Sequence, residues 1–290
     1  MTNSYKIFID TGCDIDPELI KGDYVTVIPG SYTVGSTLTK YDGIDDGENL
    51  TKFYDRQRNG DVTQTIAITK EVFENTFSRL VRHGVGVIYI AMSSRLSNQY
   101  YFAREVKMEM EAKYGELPLY IVDSRSASGG VGILAEIAVA NKMSGYPITT
   151  NVETLNTIAG NIKSWFYVND LDFLRRNGKT SASKSFIGTL LGVKPVLEVT
   201  SQGELHQIGK KFGAKKACEM LLELYVENKK TAKNCPIYIT HSDDYESAST
   251  LKGMVSTVSS GAIVKIKTLS PVVGAHTGPG VITIHHLPEY

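Results

Sequence analysis

The sequence predicts an α/β protein with two domains, residues 1–150 and residues 151–290. The first is expected to be an α/β/α domain with a mostly parallel sheet, and the second a two-layer α/β domain with a mixed sheet. Three observations predict this: a length of 290 residues, which exceeds the usual size of one domain, a composition shift at residues 144–147, and a strand, polar loop and helix unit that occurs three times before residue 145. Repetition of that unit is typical of a parallel sheet with helices on both faces.

The composition argues against several classes of function. Lys and Arg number 31 and Asp and Glu also number 31, so no net charge favours binding to nucleic acid. The cysteines at positions 13, 218 and 235 are odd in number, widely spaced and free of any CxxC pair, which predicts neither a disulfide framework nor a zinc site. The N-terminal segment lacks the pattern of a signal peptide, and no apolar run approaches ~20 residues. We therefore expect a cytoplasmic protein.

The first 83 residues contribute the first elements of the parallel sheet. Their apolar segments are short and end in polar residues, as expected for strands that lead into loops at one edge of a sheet. Asp16 and Pro17 are a typical N-cap and first-turn pair for a helix. The expected elements are strands at 5–9 and 24–28, an extended excursion at 31–46, a helix at 49–58, a linker-like segment at 63–69, and a helix at 70–83 with Thr69 as its N-cap.

A serine pair after the next strand is the strongest local sign of a binding site. Seven of the eight residues at 85–92 are apolar and predict a buried strand, and Ser93 and Ser94 follow it directly before a helix that runs to about residue 114. Ligands of open α/β sheets lie beyond the carboxyl ends of the strands, where a helix N-terminus adds N–H groups that bind anions. The alternative is that Ser94 or Ser97 merely caps the helix. Thr65 is expected to face the same crevice.

A third unit follows, with a strand at 117–122, a glycine-rich loop at 126–132 and a helix at 133–143. This loop matches neither GxGxxG nor GxxxxGK[ST], so it gives little support to nucleotide binding. The expected role of its glycines is to let the helix pack close to the sheet.

The second half combines helices with a hairpin signal, which predicts a mixed sheet with its helices on one face. Residues 201–204 are a turn signal of the hairpin type. The expected elements are a helix at 152–162, strands at 165–168, 193–199, 237–240, 262–269 and 281–285, helices at 214–228 and from after residue 244 to about 258, further segments at 171–177 and 183–191, and a loop at 275–280.

Local patterns give little support to catalysis or metal binding. No serine lies in a GxSxG elbow. The pair His285 and His286 and the polar cluster at 241–244 lack the i, i+4 spacing of helical zinc ligands, and both are expected near the surface, with the two histidines on opposite faces of a strand. His276 lies in a glycine-rich loop that fixes the backbone, although a lone histidine is more often structural.

Seven motifs, in this order along the chain, resemble those of the DegV family of bacterial fatty-acid-binding proteins. No single motif is specific, but seven in register over nearly the whole chain are. They are residues 10–14 for the DSxxD of the family, 41–43 for YxDG, 93–97 for SSxLSGTYQSA, 123–132 for DSxxxSxGxG, 174–179 for LKRGGR, 188–195 for the segment from GTLL to KP, and 276–280 for the HxGxG loop.

The resemblance implies a DegV-like fold with a long-chain fatty acid buried between the two domains. It implies a binding protein with no catalytic residue, metal or cofactor of its own. In the family, the head group is held by a Thr of the TSQPS segment, a Ser of the serine pair and the His of the HxGxG loop. These correspond here to Thr65, Ser94 and His276, with Ser93 adjacent.

The resemblance also implies partners. Some members present the acyl carboxylate to a separate ATP-dependent fatty acid kinase, and exchange of lipid brings peripheral contact with a membrane. Arg175 and Arg176 are candidates for docking such a partner, the alternative being that they offset the dipole of the helix that they end. Phe212 stands where kinase-associated members tend to carry an Arg.

The leading hypothesis is therefore a carrier that buries one fatty acid and has no turnover of its own. One alternative is a serine-dependent esterase that uses Ser94 and His276. The other is a protein that binds phosphate or a nucleotide at the serine loop.

Overall fold

The computed structural model describes residues 4–44, 47–176, 192–228 and 234–289. The strands are β1 (Tyr5–Asp10), β2 (Thr26–Ile28), β3 (Gly30–Val34), β4 (Thr37–Tyr41), β5 (Thr63–Ile66), β6 (Gly86–Ala91), β7 (Leu119–Asp123), β8 (Lys163–Tyr167), β9 (Val193–Val199), β10 (Leu205–Phe212), β11 (Ile237–His241), β12 (Val264–Thr268) and β13 (Ile282–His286). The helices are α1 (Pro17–Lys21), α2 (Glu48–Arg58), α3 (Lys70–Val81), α4 (Gln99–Tyr114), α5 (Gly129–Met143), α6 (Ile148–Ala159), α7 (Asp172–Arg176), α8 (Ala214–Glu227), α9 (Tyr245–Val258) and α10 (Pro271–Thr277).

The N-terminal part contains the predicted parallel sheet, with strands in the order β2–β1–β6–β7. Alternate residues of β1 enter different hydrophobic cores. Ile7 and Ile9 pack on the side of α5 and α6, whereas Phe8 packs with Phe73 and Phe77 of α3 on the other side. Helices therefore cover both faces of the sheet, which confirms the expected α/β/α arrangement and explains why β1 and β6 are almost continuously apolar.

The C-terminal part contains the predicted mixed sheet, with strands in the order β10–β9–β8–β13–β11–β12. Strands β11 and β12 pair in parallel, and the other neighbouring strands pair antiparallel. The predicted hairpin turn joins β9 to β10, with Val199 opposite Leu205. Helices α8 and α9 cover one face, where Leu221 and Leu251 are completely buried.

A third sheet, with strands in the order β4–β3–β5, was not predicted. The sequence interpretation of 31–46 as an excursion and of 63–69 as a linker is wrong for these strands. Buried and partly buried residues alternate along β3, where Tyr32 and Val34 face the core formed with Phe53 and Tyr54 of α2. Gly35, at a φ of 57°, turns the chain from β3 into β4.

Helix α5 lies between the two larger sheets and contacts both of them, β1 and β6 on one side and β11 and β13 on the other. Residues 129–135 in its first two turns are all buried and carry no charged side chain, as expected for a helix segment enclosed on all sides, whereas Ala140 and Met143 near its end are exposed. A Cβ atom at Gly132 would lie 2.7 Å from the carbonyl oxygen of Asp14, and one at Gly129 would lie 2.5 Å from the Tyr238 side chain. The glycines of 126–132 therefore allow close packing, as predicted.

Helix α6 begins earlier than predicted and packs on α5, β6 and β7. Its residues Leu155 and Ile158 join the core on the α5 side of the parallel sheet. The division of the chain at residue 150 stays a prediction, and this packing would move the boundary to about residue 160. Among the described residues, no helix is both long and apolar enough to cross a membrane.

Candidate functional site

A cavity of about 340 Å³ lies between the carboxyl edge of the parallel sheet, one face of the mixed sheet, and the elements β5 and α10. Its volume is within the roughly 300–1,000 Å³ usual for small-molecule sites. Half of its 28 lining residues are apolar. The apolar lining includes Ile68, Leu96, Phe166, Leu174, Val199 and Leu205.

Thr65 and His276 meet at this cavity, as the sequence predicts. The Oγ1 atom of Thr65 lies 3.0 Å from Nε2 of His276, and both side chains are half-buried. Thr65 lies on β5. His276 lies in the last turn of α10 rather than in the predicted loop, because Ser270 caps a helix that has Pro271 in its first turn.

The buried side-chain amide of Gln57 joins the elements on which Thr65 and His276 lie. The Nε2 atom of Gln57 donates to Thr63 Oγ1 at 2.9 Å and to the Gly274 carbonyl at 3.0 Å. Thr63 in turn donates to the Ala275 carbonyl at 3.2 Å. These bonds connect α2, β5 and α10 within two residues of Thr65 and His276. Sequence reasoning missed Gln57, since no local pattern connects a glutamine on α2 with residues more than 200 positions away.

The two serines of the predicted pair have different positions. Ser93 is completely buried and does not line the cavity, because its Oγ donates to the Gly203 carbonyl at 2.8 Å and accepts from the Arg95 N–H at 3.2 Å. The sequence predicts Ser93 beside the head group of the ligand, but its side chain does not line the cavity. Ser94 does line the cavity. Its backbone N–H donates to Asp123 Oδ1 at 3.1 Å, and no described residue forms a hydrogen bond with its Oγ.

Helix capping does not explain Ser94. Helix α4 begins only at Gln99, and its N-cap residue Asn98 makes no capping bond through its side chain. Of the two serines considered as caps, Ser97 accepts a hydrogen bond from the Gln99 N–H at 3.3 Å. The helix N–H groups expected directly after the serine pair therefore lie further along the chain.

Two other lining residues, Ser128 and Thr283, belong to a chain of buried hydroxyl groups. Ser128 Oγ donates to Asp14 Oδ2 at 2.5 Å and lies 3.0 Å from Thr240 Oγ1, which lies 2.6 Å from Thr283 Oγ1. Asp14 Oδ1 also accepts the Ser270 N–H at 2.8 Å. Ser128 has a φ of 54°, a left-handed conformation that is uncommon outside glycine.

The histidine pair on β13 is buried, so the expectation of surface histidines is wrong. His285 faces the cavity and its Nδ1 lies 2.8 Å from Ser164 Oγ, whereas His286 faces away and packs against Trp165 and Tyr225. As predicted, the two histidine side chains point to opposite faces of the strand. Burial lowers the pKa of His285 to about 3 and that of His286 to about 4, because a low dielectric penalises the imidazolium. Both rings are neutral at pH 7.

Asp10 is a buried carboxyl at the cavity wall. It accepts the Gly12 N–H at 2.7 Å and the Tyr89 hydroxyl at 2.5 Å, and burial raises its pKa. Among the described residues, no cluster of three or more His, Cys, Asp or Glu side chains is arranged to hold a metal ion.

Arg175 and Arg176 are exposed in the last turn of α7, as the sequence predicts. The guanidinium of Arg175 pairs with Asp172 at 2.6 Å, and that of Arg176 lies 5.8 Å from the centre of the Phe173 ring. Leu174, on the buried side of the same helix, lines the cavity. The predicted segment 183–191, residues 177–179 of one motif and the 188–191 part of another lie outside the described residues.

Comparison with known proteins agrees with this architecture. A family model described as "Uncharacterised protein, DegV family COG1307" matches residues 4–289. A DegV domain-containing protein of Clostridium perfringens is 30% identical over 285 residues, with 98% of each chain covered. A protein of Thermotoga maritima named as a fatty acid-binding protein is 27% identical over 284 residues, covering 96% of this chain and 95% of the relative.

A solved structure has the same fold. The B3 protein of the Streptococcus pneumoniae fatty acid kinase, loaded with linoleic acid, superposes with a TM-score of 0.84 at 19% identity, covering 99% of this chain and all of the other. This likeness extends over both the parallel and the mixed sheet. With the family match over nearly its full length, the chain belongs to the DegV family.

Proposed function

We propose that this protein binds one long-chain fatty acid in the cavity. The carboxylate lies at Thr65, Ser94 and His276, and the acyl chain extends between the two sheets. The observation that carries the proposal is the pairing of Thr65 with His276, two half-buried polar side chains 3.0 Å apart, at a cavity that also has an extensive apolar lining. The relatives named for fatty acids support it.

Burial of the acyl chain supplies the affinity. A sixteen-carbon acid has about fourteen methylene groups, and at ~0.8 kcal/mol each their burial stabilises the complex by on the order of 11 kcal/mol. Association itself costs ~4–15 kcal/mol, so tight binding needs a chain that is almost wholly enclosed. A cavity between two sheets provides that enclosure, whereas an open groove does not.

Three polar side chains suit the carboxylate. Thr65 and Ser94 each offer a hydroxyl donor, and His276 offers a ring N–H or, when protonated, a counter-charge. The head group lies where these side chains are half-buried, so it keeps part of its hydration. This placement avoids the cost of several kcal/mol that a fully buried, unpaired charge would incur.

In the same proposal the protein is a carrier without turnover, and it presents the acyl carboxylate to an ATP-dependent fatty acid kinase. The named subunit from Streptococcus pneumoniae supports this role. Arg175 and Arg176, exposed on α7 beside the cavity, provide cations for docking such a partner.

The alternative hypotheses receive less support. An esterase needs a general base on its nucleophile, yet among the described residues no histidine is hydrogen-bonded to Ser94, and His276 bonds to Thr65 instead. A phosphate or nucleotide site at the serine loop would draw on helix N–H groups, and α4 begins five residues after Ser94.

Mass spectrometry of solvent extracts from the purified protein tests the binding proposal. We expect a co-purified fatty acid, and uptake of added palmitate by delipidated protein. Absence of both would overturn the proposal.

For the docking step, the double substitution Arg175→Glu and Arg176→Glu should abolish acyl phosphate formation with a kinase partner and leave lipid binding intact. Unchanged phosphorylation would exclude a docking role for these two residues.

A further inference from the structure

His276 lies on a short segment whose orientation depends on its neighbours. Helix α10 has seven residues, fewer than the ~12 that an isolated helix needs to be stable in water. Its last turn carries His276, and residues 278–281 then lead into β13. Contacts at the two ends of the segment 269–281 therefore decide where the imidazole ring lies relative to Thr65.

The first end of this segment is held by two buried side chains of α2. The Tyr54 hydroxyl donates to the Leu269 carbonyl at 2.7 Å. Nε2 of Gln57 donates to the Gly274 carbonyl at 3.0 Å. The two helices approach closely, since a Cβ atom at Gly274 would lie 2.3 Å from the Tyr54 hydroxyl oxygen. Helix α2 thus fixes the backbone that leads up to His276.

The second end of the segment is held by Ser242, which is completely buried directly after β11. The Gly280 N–H donates to the Ser242 carbonyl at 2.7 Å, and the Val281 N–H donates to the Ser242 hydroxyl oxygen at 2.7 Å. The Ser242 N–H donates in return to the Val281 carbonyl at 3.0 Å. These bonds tie the loop after α10 to the residue that precedes Asp243.

Helix α2 reaches this second end as well, because Arg58 and Thr51 bind Asp243. One guanidinium nitrogen of Arg58 donates to Asp243 Oδ2 at 2.5 Å, and another donates to the Asp243 carbonyl at 3.1 Å. The Thr51 hydroxyl donates to Asp243 Oδ1 at 3.1 Å. Asp243 has a φ of 57°, a left-handed conformation that is uncommon outside glycine and persists where the surrounding contacts impose it. The contacts from α2 are such a restraint.

We propose that Arg58 and Asp243 are positioning residues for His276. Arg58 holds Asp243 in place, and the adjacent Ser242 holds residues 280 and 281, so that the imidazole ring stays where the carboxylate of the ligand needs it. Neither Arg58 nor Asp243 lines the cavity. The inference rests on the proposed function and adds residues that act on the head group without touching it.

The alternative is that the ion pair only stabilises the fold. The side chains of Arg58 and Asp243 are 39% and 25% exposed, and pairs of this kind usually add little stability. A purely stabilising pair would affect all ligands of the cavity alike. A positioning pair would affect the binding of a carboxylate and change the binding of an uncharged head group much less.

Calorimetry with palmitate and hexadecanol separates these roles. Arg58→Gln and Asp243→Asn each remove the ion pair, and asparagine tolerates the left-handed conformation at position 243. We expect each variant to bind palmitate about two- to fivefold more weakly, the range for one partly exposed ion pair, and to bind hexadecanol as the wild type does. The double variant should lose no more than either single variant, because both substitutions remove the same contact.

Two further variants serve as control and rescue. Asp55→Asn removes the other ion pair of Arg58, which is 2.8 Å long, and should keep the wild-type affinity for palmitate. Arg58→Lys retains a positive charge beside Asp243 and should restore most of the affinity that Arg58→Gln loses.

Nuclear magnetic resonance of the ligand-free protein measures the position of the histidine ring directly. The ring signals of His276 are assigned by their loss in His276→Gln. They should move in Arg58→Gln and stay in place in Asp55→Asn.

The outcomes separate this inference from the proposed function. Equal losses for palmitate and hexadecanol overturn the inference alone, as does palmitate affinity that is unchanged in both Arg58→Gln and Asp243→Asn. If Arg58→Gln does not fold, Asp243→Asn supplies both the affinities and the ring signals. Failure of the wild-type protein to bind palmitate overturns the proposed function, and the ring signals then still report whether Arg58 positions His276.

Discussion

The hydroxyl oxygen of Thr65 lies 3.0 Å from Nε2 of His276, although 211 residues separate them in the chain. The contact joins the edge strand β5 of the small antiparallel sheet to the short helix α10. Because neither element belongs to the parallel sheet, the proposed head-group site depends on how these peripheral elements pack. Gln57 fixes that packing through its bonds to Thr63 and Gly274.

Thr65→Val should lower the affinity for palmitate about tenfold or more, since a hydrogen bond to a charged group contributes ~1.5–3 kcal/mol. The substitution keeps the size and branching of the side chain. Binding of hexadecanol, which has no carboxylate, should change much less. Isothermal titration calorimetry with both ligands measures the difference. Thr154→Val on the exposed face of α6 is the matched control, and an equal loss for both ligands would argue against a carboxylate contact.

Ser93→Ala and Ser94→Ala should separate stability from binding. Loss of the Ser93 hydroxyl leaves the Gly203 carbonyl and the Arg95 N–H without this partner, at a cost of ~1–3 kcal/mol in the free energy of unfolding. Ser94→Ala should change stability by less than about 0.5 kcal/mol and weaken palmitate binding instead. Urea denaturation and calorimetry on both variants measure the two effects. The reverse pattern would place the head group at Ser93.

His286→Phe should raise stability and flatten its dependence on pH. The pKa of His286 is about 4 in the folded protein, against ~6.5 when unfolded. Below pH 6.5 the unfolded chain therefore binds a proton that the folded chain excludes, and stability falls by up to ~1.4 kcal/mol per pH unit for this group until about pH 4. Thermal unfolding between pH 4 and 7 measures the slope. His206→Gln, at an exposed position, should leave it unchanged.

Gly132→Ala should destabilise the protein, whereas Gly253→Ala should stabilise it. The added methyl at Gly132 would lie 2.7 Å from the Asp14 carbonyl oxygen, a backbone atom that cannot move aside cheaply. Gly253 lies in α9 with no atom within 4 Å of an added Cβ, so alanine gains ~1 kcal/mol of helix propensity. Guanidinium denaturation compares the two. Equal effects would mean that α5 tolerates a wider separation from its neighbours.

Local sequence patterns predict the parallel and mixed sheets, but they were not recognised as strands in the small antiparallel sheet. The alternation of Tyr32 and Val34 with polar residues, followed by Gly35, is the pattern of a hairpin strand, but the surrounding Thr, Gly and Asp residues suggested an excursion. Likewise Ser270 and Pro271 are a cap and first-turn pair, which would have placed His276 on a helix.

Other features depend on contacts that no local pattern contains. His285 and His286 lie near the C-terminal end of the chain, a position typical of the surface, but Ser164, Trp165 and Tyr225 bury them. Ser93 and Ser94 are identical residues side by side, and their roles diverge only because Gly203 approaches one of them. The motifs predicted which residues would form a site, and the structure brings three of them, Thr65, Ser94 and His276, to one cavity.

The position of α5 would restrict how the proposed lipid ligand exchanges with the solvent. Its buried first half packs against both large sheets, so a hinge that parted them would expose one apolar face of this helix to water. The free-energy cost of that exposure grows at ~25 cal/mol for each Å² uncovered. We therefore expect the lipid to pass through local displacement of β5 and α10, which carry the half-buried Thr65 and His276. The kinetics of loading and release should depend on these two peripheral elements rather than on separation of the two large sheets.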